Sequence, residues 1–179
     1  MMKADLARFG RGFVYAWHGI LGAIREERNF RFHFCTMVYV IAAAVLAGLD
    51  ATACAMLAIC VAGVMGMELL NSAVERAVHK PDTTHWWSAG AAKDMAAGGV
   101  LVMAIGALTV GILVFSAGKP SGFARAFAAV TASPLSVLSL LASLVLAYLF
   151  IFHFGAPQNK TETVGNEHDK QAGQWNNEP

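Results

Sequence analysis

The sequence predicts an all-α integral membrane protein, with an amphipathic surface helix, a three-helix transmembrane core and an extra fourth transmembrane helix. Two observations carry this reading. The 179 residues are 56% hydrophobic and only 14% charged, with a mean hydropathy of +0.52, which is far more apolar than an ordinary soluble domain. Four apolar runs, 32–49, 51–78, 95–116 and 134–154, approach or exceed the roughly 20 residues that a helix needs to cross about 30 Å of hydrocarbon. The expected organisation is a surface-helix region at 1–31, a core of three spans at 32–118, an extension with the fourth span at 119–154, and a polar tail at 155–179.

The first region does not read as a cleaved signal peptide. Arg8, Arg11, Arg25, Arg28 and Arg31 are spread along it with no compact apolar core before a small-residue cleavage site. Phe9, Phe13, Ala16, Trp17, Ile20, Leu21 and Ile24 recur at helical spacing opposite the basic residues, as in a helix lying in a membrane interface. Six Lys or Arg precede the first span, and Arg76, Lys80 and Lys93 lie between the second and third. By the positive-inside rule both regions face the cytoplasm. Asp50 and the segment 117–133 then face outward, against the charges of Lys119 and Arg125. The turn cluster at 118–122 marks the break between core and extension, which predicts that the fourth span and the tail are accessory. The tail is rich in Asn, Gln, Glu, Lys and Gly and is expected to be disordered. Cys35, Cys54 and Cys60 lie in apolar spans and read as packing residues.

The second span ends in MELLNSAVERAVHK, residues 67–80. Steps of three and seven return to nearly the same side of a helix, so Glu68, Asn71 and Glu75 share one face. An ionisable group in a spanning helix costs about 2.5–3.5 kcal/mol on insertion scales and normally faces a partner helix or a wet cavity. Taken alone, Glu68 is also explained as a structural acid bonded to Asn71 or to a neighbouring helix. Glu75 lies about 10.5 Å further along the axis, too far to share one ion directly with Glu68. The two carboxylates suit opposite ends of a reacting assembly, with Glu68 near a lipid hydroxyl and Glu75 near an aqueous ligand. Glu26, Glu27, Arg28, Asn29, Arg31 and His33 face the same boundary, as do Lys93 and Asp94. Together they offer carboxylates for Mg²⁺ and cations for phosphates, the needs of a phosphoryl-transfer site. Neither a Walker-type loop nor a protein-kinase motif set is present.

Glu68-Leu69-Leu70-Asn71-Ser72-Ala73-Val74-Glu75 followed by Ala92-Lys93-Asp94-Met95-Ala96-Ala97-Gly98 resembles the signature of the small prokaryotic integral-membrane diacylglycerol kinase and undecaprenol kinase family. Tyr15-Ala16-Trp17-His18-Gly19 and Glu27-Arg28-Asn29-Phe30-Arg31-Phe32-His33 match family segments in the same order, and the likeness runs from about residue 6 to 116. The resemblance implies an ATP-dependent lipid kinase in the bacterial inner membrane, assembled as a homotrimer, with its active site facing the cytoplasm. It assigns Glu68 as the base for the lipid hydroxyl and Asn71 as an orienting group. Glu27 and Glu75 become the carboxylates for Mg²⁺ bound to ATP, and Lys93, Asp94, Tyr15 and Arg8 become nucleotide-binding residues. By themselves, Arg8 and Arg11 read first as contacts to lipid phosphates, the usual role of basic residues on a surface helix. The chain departs from the family at His79, where an acid is usual and Asp82 follows only beyond Pro81, and in its fourth span and tail.

The six His show no zinc spacing. Trp86 and Trp87 suit an interfacial aromatic belt, and Gly63, Gly66, Ala92, Ala96 and Gly99 suit close helix approach. A small transporter would need a continuous polar path, whereas residues 51–67 are nearly all apolar. A non-catalytic scaffold leaves the carboxylate, Asn and Lys-Asp set unexplained. Between acceptor lipids, the Asn-Ser-Ala-Val-Glu and Lys-Asp-Met stretches lean towards diacylglycerol, and the Glu-Arg-Asn-Phe-Arg stretch towards undecaprenol. No nucleic-acid partner is expected.

Overall fold

The computed structural model describes the backbone of residues 2–78 and 86–155, with side chains at 9–78 and 88–155. It contains six helices among the described residues, α1 (Met2–Glu26), α2 (Arg28–Leu46), α3 (Ala51–Val78), α4 (Trp86–Ser116), α5 (Gly122–Thr131) and α6 (Pro134–His153), and no strand. Four of these, over Arg28–Leu46, Ala51–Val78, Ser88–Ser116 and Pro134–His153, are long and apolar enough to cross a membrane. The chain is a membrane protein. His79, Pro81 and Asp82, the tail from residue 156, and the side chains of Arg8, Trp86 and Trp87 lie outside the described residues.

The spans differ from the sequence reading at their ends. The surface helix stops at Glu26 because Glu27 is extended (φ −105°, ψ 112°), and Arg28 to Arg31 form the first turn of α2. This elbow moves the start of the first spanning helix from 32 to 28. At the third span the helix begins at Trp86, so Lys93 and Asp94 sit inside α4 rather than ahead of it. Charges are tolerated there because they lie near the helix end, where long side chains reach the interface. The segment 117–133, expected as a connection, contains α5, whose start is fixed by the Ser121 hydroxyl accepting from Ala124 N at 3.3 Å.

Helices α3 and α4 form the most extensive pair. A Cβ at Gly63 would collide with the end of the Met103 side chain, and one at Gly99 with that of Met67. These two glycines therefore make room for a methionine of the facing helix, while Gly66 has open space beside it. Lipid tails are as apolar as leucine, so such pairs hold by close contact rather than by water exclusion. A small core of Ala44, Ala47, Leu57 and Phe115 joins α2, α3 and α4 at the end where α5 sits. There the chain turns tightly: Gly48, with φ +57°, ends α2 in the left-handed region that favours glycine. Asp50 then caps α3 by accepting from Ala53 N at 2.9 Å.

Helix α6 runs back along α2. Tyr39 Oη donates to Ser143 Oγ at 3.2 Å, and the Phe34 and Phe150 rings lie 6.2 Å apart. The last turn of α6 thus arrives beside the α1–α2 elbow.

Candidate active site

The buried stripe of α3 is Leu57, Val64, Glu68, Asn71 and Ser72. Its apolar members pack in the bundle, and its polar members occupy the last third of the helix, because the same spacing that buries Leu57 and Val64 turns Glu68 inward. Glu68 is only 3% exposed. Asn71 is buried beside it, and its Oδ1 has no hydrogen-bond partner among the described residues. A buried amide oxygen of this kind normally has a partner, which a water or a group from outside the chain would supply.

Two further carboxylates lie close enough for their negative charge to act on Glu68, namely Glu27 from the elbow and Glu75 from the next turns of α3. Each is held by a cation. Arg76 Nη2 lies 3.2 Å from Glu27 Oε1 and 3.0 Å from Glu26 Oε2, and Lys93 Nζ lies 3.9 Å from Glu75 Oε1. These pairs are partly exposed, so they contribute little stability and their cations can turn to another anion at small cost. Asp94 is exposed on the same turn of α4 as Lys93. The elbow, the end of α3 and the start of α4 thus bring Glu27, Glu68, Asn71, Glu75 and Lys93 to one end of the bundle, as the sequence reading expects.

Other expected residues do not join them within the chain. Tyr15 is 68% exposed on α1, about 16.5 Å along the helix axis from Glu26. Arg31, expected to offer its charge to phosphates, is instead committed to backbone. Its guanidinium is buried and donates to Ile24 O, Arg25 O and Ile151 O at 3.1–3.2 Å. Arg76 is the residue that sequence patterning missed, marking it only as a cytoplasmic charge. The available signal was its place directly after Glu75, in a chain that also breaks a helix at adjacent acids.

No group of three or more His, Cys, Asp or Glu side chains converges on a metal position among the described residues. Mg²⁺ that travels with a nucleotide needs less, since one or two carboxylates and the phosphates complete its shell with water. Glu27 and Glu75 are two partly exposed carboxylates from different elements, a donor set of that kind.

The profile of the prokaryotic diacylglycerol kinase family matches residues 14–115. The chain belongs to this family. It is a lipid kinase, and membership implies use of ATP. The match spans α1 from Val14 through α4 and covers every residue of the cluster, while α5 and α6 lie beyond it. Among relatives, the kinase is 37% identical over 113 residues to the undecaprenol kinase of Bacillus subtilis strain 168, covering 63% of this chain and 92% of that protein. It is 48% identical over 103 residues to the diacylglycerol kinase of Synechocystis sp. strain PCC 6803, covering 55% of this chain and 57% of that protein. No solved structure matches the kinase.

Proposed function

We propose that this kinase transfers the γ-phosphoryl group of ATP to the hydroxyl of diacylglycerol, giving phosphatidic acid and ADP, at the cytoplasmic face of the bacterial inner membrane. The observation that carries this reading is the buried Glu68–Asn71 pair with an open Asn71 Oδ1, flanked towards the same end by cation-held Glu27 and Glu75. Glu68 takes the proton of the lipid hydroxyl as its oxygen bonds to the γ-phosphorus and the bond to the bridging oxygen of ADP breaks. Asn71 orients the hydroxyl or the phosphoryl oxygens through its free amide oxygen and amide N–H groups. Glu27 and Glu75 would hold Mg²⁺, which would supply charge neutralisation at the phosphates. Lys93 and Asp94 hold the nucleotide, and Tyr15 and Arg8 of α1 contribute to the same ligand. The reacting groups are confined to the elbow and the core at 32–118, and residues 119–154 contribute none.

Two further features support the reading. An apolar cleft of about 520 Å³, lined by Ile20, Phe30, Phe34, Met65 and Leu69 among others, runs beside the Glu68 turn and suits an acyl chain. Most of α4 stays exposed within one chain, which leaves it free to pack in a homotrimer, where α1 of a second copy can bring its Tyr15 to the cluster. Undecaprenol is the second reading of the acceptor, favoured by the likeness over 92% of the Bacillus subtilis protein. Purified full-length protein with ATP, Mg²⁺ and each lipid in turn should form phosphatidic acid faster than undecaprenyl phosphate. The opposite preference would select the second reading, and no phosphorylation of either lipid would overturn both.

A further inference from the structure

Arg31 and the end of α6 form a clasp around the elbow that presents Glu26 and Glu27. Arg31 Nε and Nη2 both donate to Ile151 O, at 3.2 and 3.1 Å, and Nη1 donates to Ile24 O and Arg25 O, each at 3.1 Å. All three carbonyls lie in the last turns of helices, where the final four have no partner within the helix. One guanidinium therefore satisfies the ends of α1 and α6 together, and its positive charge meets the negative ends of both helix dipoles. Arg31 is 6% exposed and has no carboxylate among its hydrogen-bond partners in the described residues, where this geometry compensates its buried charge.

The other contacts close the same joint. Gly155, at φ +123°, packs against Arg25 O so tightly that any Cβ would strike that oxygen, and it also lies against Arg31 Nη1. The Arg28 guanidinium sits 5.8 Å from the centre of the Phe152 ring, within range of a cation–π contact. Residues 151–155 thus touch both sides of Glu26–Glu27, the one extended point between α1 and α2. On the far side of that point, Glu26 and Glu27 hold Arg76, the neighbour of Glu75.

We propose that the fourth span is a positioning element for the nucleotide end of the site: through Arg31, the last turn of α6 fixes the elbow angle and so the distance from Glu27 to the end of α3. Arg31 and Gly155 are positioning residues in this arrangement and touch no reacting atom. The inference rests on the reading that Glu27 and Glu75 serve Mg²⁺-ATP, and it goes beyond that reading by giving the extension a task. Tyr39 supplies a control, because its bond to Ser143 joins the same two helices along their length, away from the elbow.

The test uses full-length protein in detergent micelles with a non-hydrolysable ATP analogue and Mg²⁺. Affinity is measured by titration calorimetry and the KM for ATP and for lipid by turnover. Arg31→Lys keeps the charge but loses the fork that reaches two helices, and Gly155→Ala strains the backbone and forces the end of α6 away from Arg25. Each should weaken analogue binding and raise the ATP KM about 5- to 20-fold, with the lipid KM unchanged, while Tyr39→Phe leaves both within about twofold of wild type. Wild-type affinity in both elbow variants would overturn the proposal, and so would equal weakening by Tyr39→Phe, since α2–α6 packing in general would then be responsible. Failure of the wild-type protein to bind the analogue would remove the reading of Glu27 and Glu75 itself, an outcome separate from either of these. Two elbow variants guard against one failing to fold.

Discussion

The two ends of the bundle differ in how fully their polar side chains are partnered. At the α5 end, polar groups at helix termini find partners within the chain. Asp50 caps α3, Ser121 caps α5 and Ser133 caps α6, and Arg125 donates Nε to Ala47 O and Nη1 to Pro120 O, both at 2.6 Å. At the end that carries Glu68, Arg31 likewise satisfies the ends of α1 and α6, and the difference lies in the acidic and amide side chains. Asn71 Oδ1 has no partner among the described residues, Glu27 meets Arg76 at 3.2 Å, and Glu75 meets Lys93 at 3.9 Å, in ion pairs that stay partly exposed. Closed valences hold a fold, whereas open or loosely held ones leave groups that can meet a ligand without breaking anything expensive. Two arginines are what the ends share. Arg125 bonds a core carbonyl from the extension, and Arg31 bonds an extension carbonyl from the core, so α5 and α6 are fastened at both ends of the molecule.

The largest effect should come from the open end. Glu68→Gln keeps the shape and removes the base, and should lower lipid phosphorylation by about 10²- to 10⁴-fold while binding of the Mg²⁺-ATP analogue stays near wild type. Radiolabelled phosphate transfer beside calorimetry checks both halves, and near-normal turnover would remove Glu68 from the mechanism. Glu75→Gln should act on binding instead, weakening Mg²⁺-ATP by about tenfold, equivalent to about 1.4 kcal/mol. An unchanged ATP KM in that variant would remove Glu75 from the metal-binding role.

Changes at the closed end should read out in stability alone. Arg125→Ala removes two charge-assisted bonds and leaves Ala47 O without this donor, at a cost of about 2–4 kcal/mol. Its thermal midpoint in detergent should fall while turnover per folded molecule at lower temperature holds. Loss of turnover without loss of stability would erase the distinction between the two ends. The smallest effect is expected for Asp50→Ala, which deletes one cap worth about 1 kcal/mol, and a denaturation curve within error of wild type would show that water replaces the cap.

The arginines also explain a conflict in the sequence. Lys119 and Arg125 argue against an outward-facing 117–133 when counted as topology charges, yet Arg125 is spent on the ends of neighbouring segments. A charge absorbed by helix carbonyls says less about sidedness than a free one.

What the sequence determined by itself is local or periodic. The number of spans follows from apolar length, and the shared face of Glu68, Asn71 and Glu75 from steps of three and seven, because both depend only on residues close in the chain. The kinase family was legible for the same reason, its motifs being short and ordered. The tertiary structure alone decided the joints: Arg76 with Glu27 across 49 residues, Arg125 with Ala47 across 78, and Arg31 with Ile151 across 120. For the last two the acceptor is a backbone carbonyl, which every residue carries. A carbonyl becomes an acceptor worth a buried arginine only where a helix ends and another element is brought against it, and that is a fact of packing that no residue name records.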